Sequence, residues 1–306
     1  MTNPLPTLPA SVFDTQRRQF HRGLITAGVL TRNEQKVVSI ADKDSRLSVD
    51  VAGRIYEKVS GEIKAVARLA AQVSGQAFED HCREFLLSTF LKLDHLRPGQ
   101  WHVERATARG IGMFEQYEHL VQVEEATKGN AALAAALGTD YLIKPDVLIY
   151  RDPEPDERIN KGLTGSAALI DDKLAKRAVL RKSNNAAPIL HASVSTKWTL
   201  RSDRAQNART EALNLVRNRK GQVPHIVVVT AEPMPSRLAS IALGTGDVDC
   251  VYHLFLPELM AAVEEIVKQS NKQNQARGED SLELLEVMTR GRRLKDISDL
   301  PLDLAV

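Results

Sequence analysis

The segment ILHASVSTKWTLRSDRAQNARTEALNLVRNRKGQVPHIVVVTAE, residues 189–232, decides the fold class of this chain. It opens at 189–200 on a run rich in Ile, Val, Thr and Trp, the residue types that suit a pleated, half-buried surface. Residues 203–218 (DRAQNARTEALNLVRN) then switch to a helical pattern. Residues 225–232 (HIVVVTAE) return to a short β-rich run. A strand, a helix and a strand in that order predict an α/β sheet with helices packed against it.

Outward from this segment the alternation continues. YLIKPDVLIY (141–150) and VDCVYHLF (248–255) are further strand candidates, and LPELMAAVEEIVKQ (256–269) reads as a helix. The stretch 151–164, with its prolines and glycine, reads as a polar loop, and 270–281 (SNKQNQARGEDS) as a polar linker before a last short helix at 281–290. The first third reads as helical. Val51, Ile55, Val59, Ile63, Val66 and Leu69 recur at spacings of three and four. Ser74 and Gly75 interrupt the run, and 76–96 resumes it with Phe78, Cys82, Phe85, Leu86 and Phe90 on one stripe. Residues 103–137 also read as helical, with a break near Gly129. The expected organisation is one domain over 1–306: a mainly helical part (1–140), a core (141–256) and C-terminal helices (257–306).

The chain has 306 residues, 43% of them hydrophobic and 26% charged, which suits a globular chain with a real core and excludes a disordered or fibrous one. Two cysteines, Cys82 and Cys250, are too few for a disulfide framework or a structural zinc site and are expected to be buried thiols. No leader pattern and no run of ~20 apolar residues is present, so the expectation is a cytoplasmic protein without a membrane partner.

Charge is distributed unevenly. Lys and Arg total 41 against 39 for Asp and Glu, yet residues 173–220 hold twelve basic residues and only two acidic ones, Asp203 and Glu211. That local excess of ten leaves the remainder at −8, a footprint for an anionic partner, the phosphate backbone being the commonest. Aromatics are scarce in the basic segment, Trp198 excepted. This favours duplex over single-stranded nucleic acid, since single-strand binders stack bases on aromatic rings.

Three residues suggest chemistry. Asp146 follows Lys144-Pro145 in a strand-like run, Lys197 ends the run Ser193-Val194-Ser195-Thr196, and Glu211 lies in the helix that follows. Metal-dependent phosphodiester hydrolysis needs convergent oxygens for Mg²⁺ and a positive group near the attacked phosphate. Asp146 and Glu211 are suited to the first task. Lys197 is suited to the second, or to positioning a water. Spacing alone favours the blander readings: a turn Pro-Asp, a snorkelling lysine and a solvated glutamate.

Longer motifs add to this. KPDVLIY, SVSTKWTLRSDRAQNARTEALNLVRNRK and HIVVVTAEPMPSRLASIALGTGDVDCVYHL, dense over 141–256, closely resemble the CCGG-recognising type II restriction endonucleases of the NgoMIV type. The resemblance implies a restriction-endonuclease-like core of the PD-(D/E)xK superfamily: a central mixed β-sheet flanked by helices, with a helical N-terminal part. It implies that Ser195 stands where an acid usually precedes the lysine, that Glu211 supplies that carboxylate from the helix, and that Glu79 is a further acid near the metals.

Arg201-Ser202-Asp203-Arg204 opens the helix bearing Glu211. Arg suits guanine O6 and N7, and Asp accepts from cytosine N4, so this element is chemically apt for a G·C core; alternatively Ser202 or Asp203 caps the helix. In the similar family the element reads CCGG. Arg237 matches a residue that reads the outer base pair, and Gln72 and Ser45 match further outer contacts, which together imply GCCGGC. The resemblance also implies two Mg²⁺ per active site, a homotetramer that binds two DNA sites, a 5′ CCGG overhang, and a cognate methyltransferase that is functionally paired but not bound. Two rivals are a non-cleaving repressor and a repair or recombination nuclease of low specificity. The first is opposed by Asp146, Lys197 and Glu211 together, the second by Arg201 and Arg204. His191, at the start of the catalytic strand, is expected to be structural, and Gly244–Asp247 a turn rather than a phosphate loop.

Overall fold

Strand β1 (Trp101–Glu104) is the first of six in a single mixed sheet whose spatial order follows the chain: β2 (Val147–Arg151), β3 (Ile189–Lys197), β4 (His225–Thr230), β5 (Cys250–His253) and β6 (Leu294–Asp296). The computed structural model describes residues 10–61, 69–107, 110–137, 142–161, 167–244, 246–269 and 272–306, and every statement here concerns those. Ile63 and Val66 of the first helical run, Tyr141 and Thr245 lie outside them.

β1, β2 and β3 run antiparallel, whereas β3, β4, β5 and β6 run parallel. The parallel centre is buried on both faces. Ile226, Val227, Val228 and Val229 of β4 are all at most 5% exposed, which is why this strand reads as an unbroken apolar run rather than an alternation.

The helices are α1 (Val12–Thr26), α2 (Arg46–Ser60), α3 (Ala71–Thr89), α4 (His119–Thr127), α5 (Ala131–Leu137), α6 (Asp156–Ile159), α7 (Ser202–Asn218), α8 (Pro235–Ala242), α9 (Leu256–Gln269), α10 (Lys272–Arg290) and α11 (Leu300–Asp303). α7 links β3 to β4, burying Ala208, Ala212 and Leu215 at helical spacing. α1 packs on α3 and α2 on α9, where Arg54 and Lys58 both pair with Glu265. Each fully buried aliphatic side chain, such as Ile55 or Leu259, contributes roughly 1.5–3 kcal/mol.

Three sequence expectations need correction. The segment 103–137 is not continuously helical: it begins within β1 and then forms a short 3₁₀ turn at Gly110–Met113, α4 and α5. Four residues are too few for alternation to register, and the strand exists because it pairs with β2. The polar stretch 270–281 is helical from Lys272 onward, not a linker. Gly278 faces α9 so closely that a Cβ there would lie 2.9 Å from Val267 Cγ2, so the glycine permits helix packing rather than breaking the helix. Finally, α3 begins at Ala71 and runs through Ser74 and Gly75.

Among the described residues no helix is long and apolar enough to cross a membrane. Cys82 and Cys250 are both free and buried, as expected.

Candidate active site

The antiparallel pairing of Val147 with Val194 brings Asp146, just ahead of β2, beside the exit of β3. There Asp146 Oδ2 accepts three hydrogen bonds: from the Thr196 amide at 2.7 Å, the Thr196 hydroxyl at 3.1 Å and Lys197 Nζ at 3.3 Å. Ser195 and Lys197, two residues apart in a strand, project to one face. α7 lies over that face and delivers Glu211. The Ser195 hydroxyl donates to Glu211 Oε2 at 3.1 Å, and Lys197 Nζ lies 3.9 Å from the same oxygen. Lys197 thus stands between two carboxylates carried by different elements.

The acids feel one another. Burial pushes the Glu211 carboxyl above the ordinary range and the charge of Asp146 adds to this, while Lys197 and the Ser195 hydroxyl oppose it. Glu79, on α3, is raised for the same two reasons, burial and Asp146. Its partner is Arg105, at 2.5 Å, which also reaches Asp80 at 3.3 Å. Among the described residues no three His, Cys, Asp or Glu side chains converge as a ready-made ligand set. Mg²⁺ needs only one or two carboxylates when waters and phosphate complete its shell, and Asp146 and Glu211 with the Ser195 hydroxyl are oxygen donors of that kind. Two carboxylates, one of them raised by burial and by the other's charge, make a place that favours a cation.

A cavity of about 440 Å³ opens beside these residues, lined among others by Glu79, Lys197, Glu211, Arg201, Arg204, Asn207 and Arg237. Arg201, Ser202, Asp203 and Arg204 are all exposed. Arg201 itself is the N-cap of α7, in extended conformation and without a side-chain capping bond, so neither Ser202 nor Asp203 caps the helix. Arg204 donates to the Thr199 hydroxyl at 3.2 Å. Arg237, near the start of α8, is ion-paired with Asp42 and lies 3.8 Å from the buried Glu232. Gln72 is exposed in the first turn of α3, near Ser74 and Gly75 of the cavity wall but not lining it. Ser45 is the N-cap of α2 and its hydroxyl accepts from the Ser48 amide at 3.3 Å, also away from the cavity wall.

The profile of the NgoMIV restriction enzyme family matches residues 20–306. A relative from Neisseria gonorrhoeae named "Type II restriction enzyme NgoMIV" is 49% identical over 298 residues, which is 96% of this chain and 99% of the relative. The chain belongs to the NgoMIV restriction enzyme family. Its activity class is therefore that of a type II site-specific deoxyribonuclease, on the α/β restriction-endonuclease-like core that the mixed sheet displays.

Within this family member several side chains at the site have no local sequence signal. Asp42 lies 195 residues before its partner Arg237, and no pattern connects them. Asn207 lies three residues after Arg204 and four before Glu211, a spacing that puts all three on one helix face. Trp198 packs its ring edge-on against Phe78 at 5.1 Å, tying the end of β3 to the helix bearing Glu79. Not all of the basic run faces the cavity. Arg181 is buried against Asp156, holding the long connection between β2 and β3 together, whereas Lys173, Lys176 and Arg177 are exposed on that connection. His191 is structural in its contacts: its ring is buried, Nε2 bonds to the Leu304 carbonyl at 2.7 Å, and burial lowers its pKa to about 3.

Proposed function

We propose that this chain is a magnesium-dependent restriction endonuclease that cuts duplex DNA at GCCGGC ahead of the CCGG, leaving a 5′ CCGG overhang and 5′-phosphates. The observation that carries the reading is Lys197 held between Asp146 and Glu211 on the cavity that also takes Arg201 and Arg204. Hydrolytic groups and guanine-reading groups border one space.

In this reading Asp146 and Glu211 hold Mg²⁺, which would supply charge stabilisation at the scissile phosphate and a more acidic water. Lys197, oriented by Asp146, sits against the attacked phosphate and offsets the negative charge that builds on it. The water releases a proton to solvent as its oxygen bonds to phosphorus, the bond to the 3′-oxygen breaks, and the leaving oxygen takes up a proton from solvent. Ser195 steadies Glu211, and Glu79 supplies a further negative group near Asp146. Arg201, Asp203 and Arg204 read the CCGG core from the α7 start, with Ser202 alongside. Arg237, held by its ion pair with Asp42, reads the outer guanine. Gln72 and Ser45 contribute from the flank.

A palindromic target calls for a two-fold symmetric assembly, and the reading extends to a homotetramer engaging two sites. Such an enzyme works in the cytoplasm, functionally paired with a methyltransferase that protects the same sequence and does not bind the nuclease. The test is a plasmid digest with Mg²⁺ followed by sequencing of the ends. Discrete bands ending in 5′ CCGG are expected; a random ladder, or binding without cutting, overturns the proposal.

A further inference from the structure

Glu232 follows β4 with its side chain 0% exposed, yet both its carboxylate oxygens are used. Oε2 accepts from the Leu200 amide at 2.7 Å, and Oε1 accepts from the Met234 amide at 3.0 Å. Leu200 directly precedes Arg201, the N-cap of α7. Met234 is the N-cap of α8, which bears Arg237. One buried carboxylate therefore spans the starts of both helices whose arginines line the cavity.

Its own backbone is equally fixed. The Glu232 amide donates to the Thr230 hydroxyl at 3.2 Å. Its carbonyl lies 3.0 Å from Nε2 of the fully buried His253, whose Nδ1 accepts from the Phe255 amide, so Nε2 carries the proton and donates. Beside it the Ala231 amide donates to the Trp198 carbonyl at 3.3 Å. Burying a carboxylate so completely is costly, and its use here is to present two acceptors at a fixed spacing from one side chain. A glutamine offers one acceptor and turns an NH₂ toward the second amide.

We propose that Glu232 is a positioning residue for sequence discrimination: it locks the α7 start bearing Arg201 and Arg204 to the α8 start bearing Arg237, so that inner and outer base pairs are read in one register. This rests on the assignment of those arginines to base contacts. The test compares wild type, Glu232→Gln and Arg237→Ala on GCCGGC duplexes and on duplexes with one inner or one outer pair exchanged. It reads kcat/KM ratios alongside melting temperature.

For Glu232→Gln, discrimination is expected to fall about tenfold at inner and outer pairs together. For Arg237→Ala, it falls at the outer pair only. A lowered melting temperature with unchanged ratios overturns the proposal and leaves Glu232 a stability residue. So does a loss confined to the outer pair, which would assign Glu232 to Arg237 alone. An Arg237→Ala enzyme that discriminates like the wild type overturns the base-contact assignment itself, a failure visible independently of Glu232. If Glu232→Gln does not fold, Glu232→Asp, a carboxylate too short to span both amides, is expected to show the same joint loss, and unchanged ratios in it overturn the proposal.

Discussion

The Ser195 hydroxyl donates to Glu211 Oε2 at 3.1 Å across a sequence separation of sixteen residues. This bond holds the helix-borne carboxylate over the strand end where Lys197 and Asp146 meet. It also favours the ionised form of Glu211, against the burial and the Asp146 charge that favour the protonated form. Ser195→Ala removes a stabiliser of the carboxylate, so the Glu211 pKa rises further. With the ionised carboxylate as the form that supports cleavage, the acid limb of the pH–rate profile moves to higher pH. A profile unchanged in position would detach Ser195 from the chemistry.

Lys197 pairs with both carboxylates, Asp146 at 3.3 Å and Glu211 at 3.9 Å. Lys197→Ala is expected to lower single-turnover cleavage by about a hundredfold to a thousandfold, the range seen when one charge-stabilising donor is removed from a transition state. Sequence-specific binding in gel shifts should persist. Loss of binding in step with cleavage would make Lys197 a structural residue.

The β3–α7–β4 unit is legible in the sequence because β4 carries the apolar run Ile226–Val229 and α7 places Ala208, Ala212 and Leu215 at helical spacing. Asp146, Lys197 and Glu211 stand out in the sequence by residue type and by the longer motifs around them, while β2–β3 pairing and the lie of α7 bring them together. The rest escapes for definite reasons. β1 is four residues whose strand character comes from β2. α10 is hidden because its buried glycine looks like a breaker until α9 is seen beside it. Asp42 and Glu232 act through partners that only the tertiary structure brings near, so no spacing announces them.

Arg237 is held by Asp42, whose own carboxyl the Arg237 hydrogen bond draws below the usual carboxylate range. Arg237→Ala should leave CCGG recognition intact and relax the outer pair by ~1–3 kcal/mol, roughly fivefold to 150-fold in relative kcat/KM. Cleavage of a substrate library carrying every combination of bases flanking CCGG measures this. Retained preference for G·C at the outer position would remove Arg237 from the reading set.

Far from the cavity, Arg17 of α1 pairs with Glu258 of α9 at 2.7 Å and with Asp296 of β6 at 2.8 Å, all three largely buried. Burial pushes both acids up, but the hydrogen bonds and charge of Arg17 more than offset it, and their carboxyls end below the ordinary range. Depressed folded-state values mean that this stabilisation is complete above the unfolded carboxylate range near ~4 and is lost as pH falls through the folded values. Arg17→Met leaves two buried acids without their partner and should cost ~3–5 kcal/mol at neutral pH. The gap between variant and wild type in denaturant melts should narrow as pH falls below about 4. A gap constant with pH would show that packing, not charge, is what Arg17 contributes.

The homotetramer reading makes the last prediction kinetic. If one assembly engages two GCCGGC sites, a plasmid carrying both presents the second at the high effective concentration of a tether, whereas a one-site plasmid must find a second molecule. The two-site plasmid should therefore be cut faster at low enzyme and DNA concentration. A short cognate duplex added in trans should accelerate the one-site reaction before competing with it at excess. Both effects should weaken as salt rises, because contacts to the DNA phosphates lose their counterion-release advantage. Equal rates on the two plasmids, together with a dimer mass in sedimentation, would replace the two-site assembly with an enzyme acting on each palindrome alone.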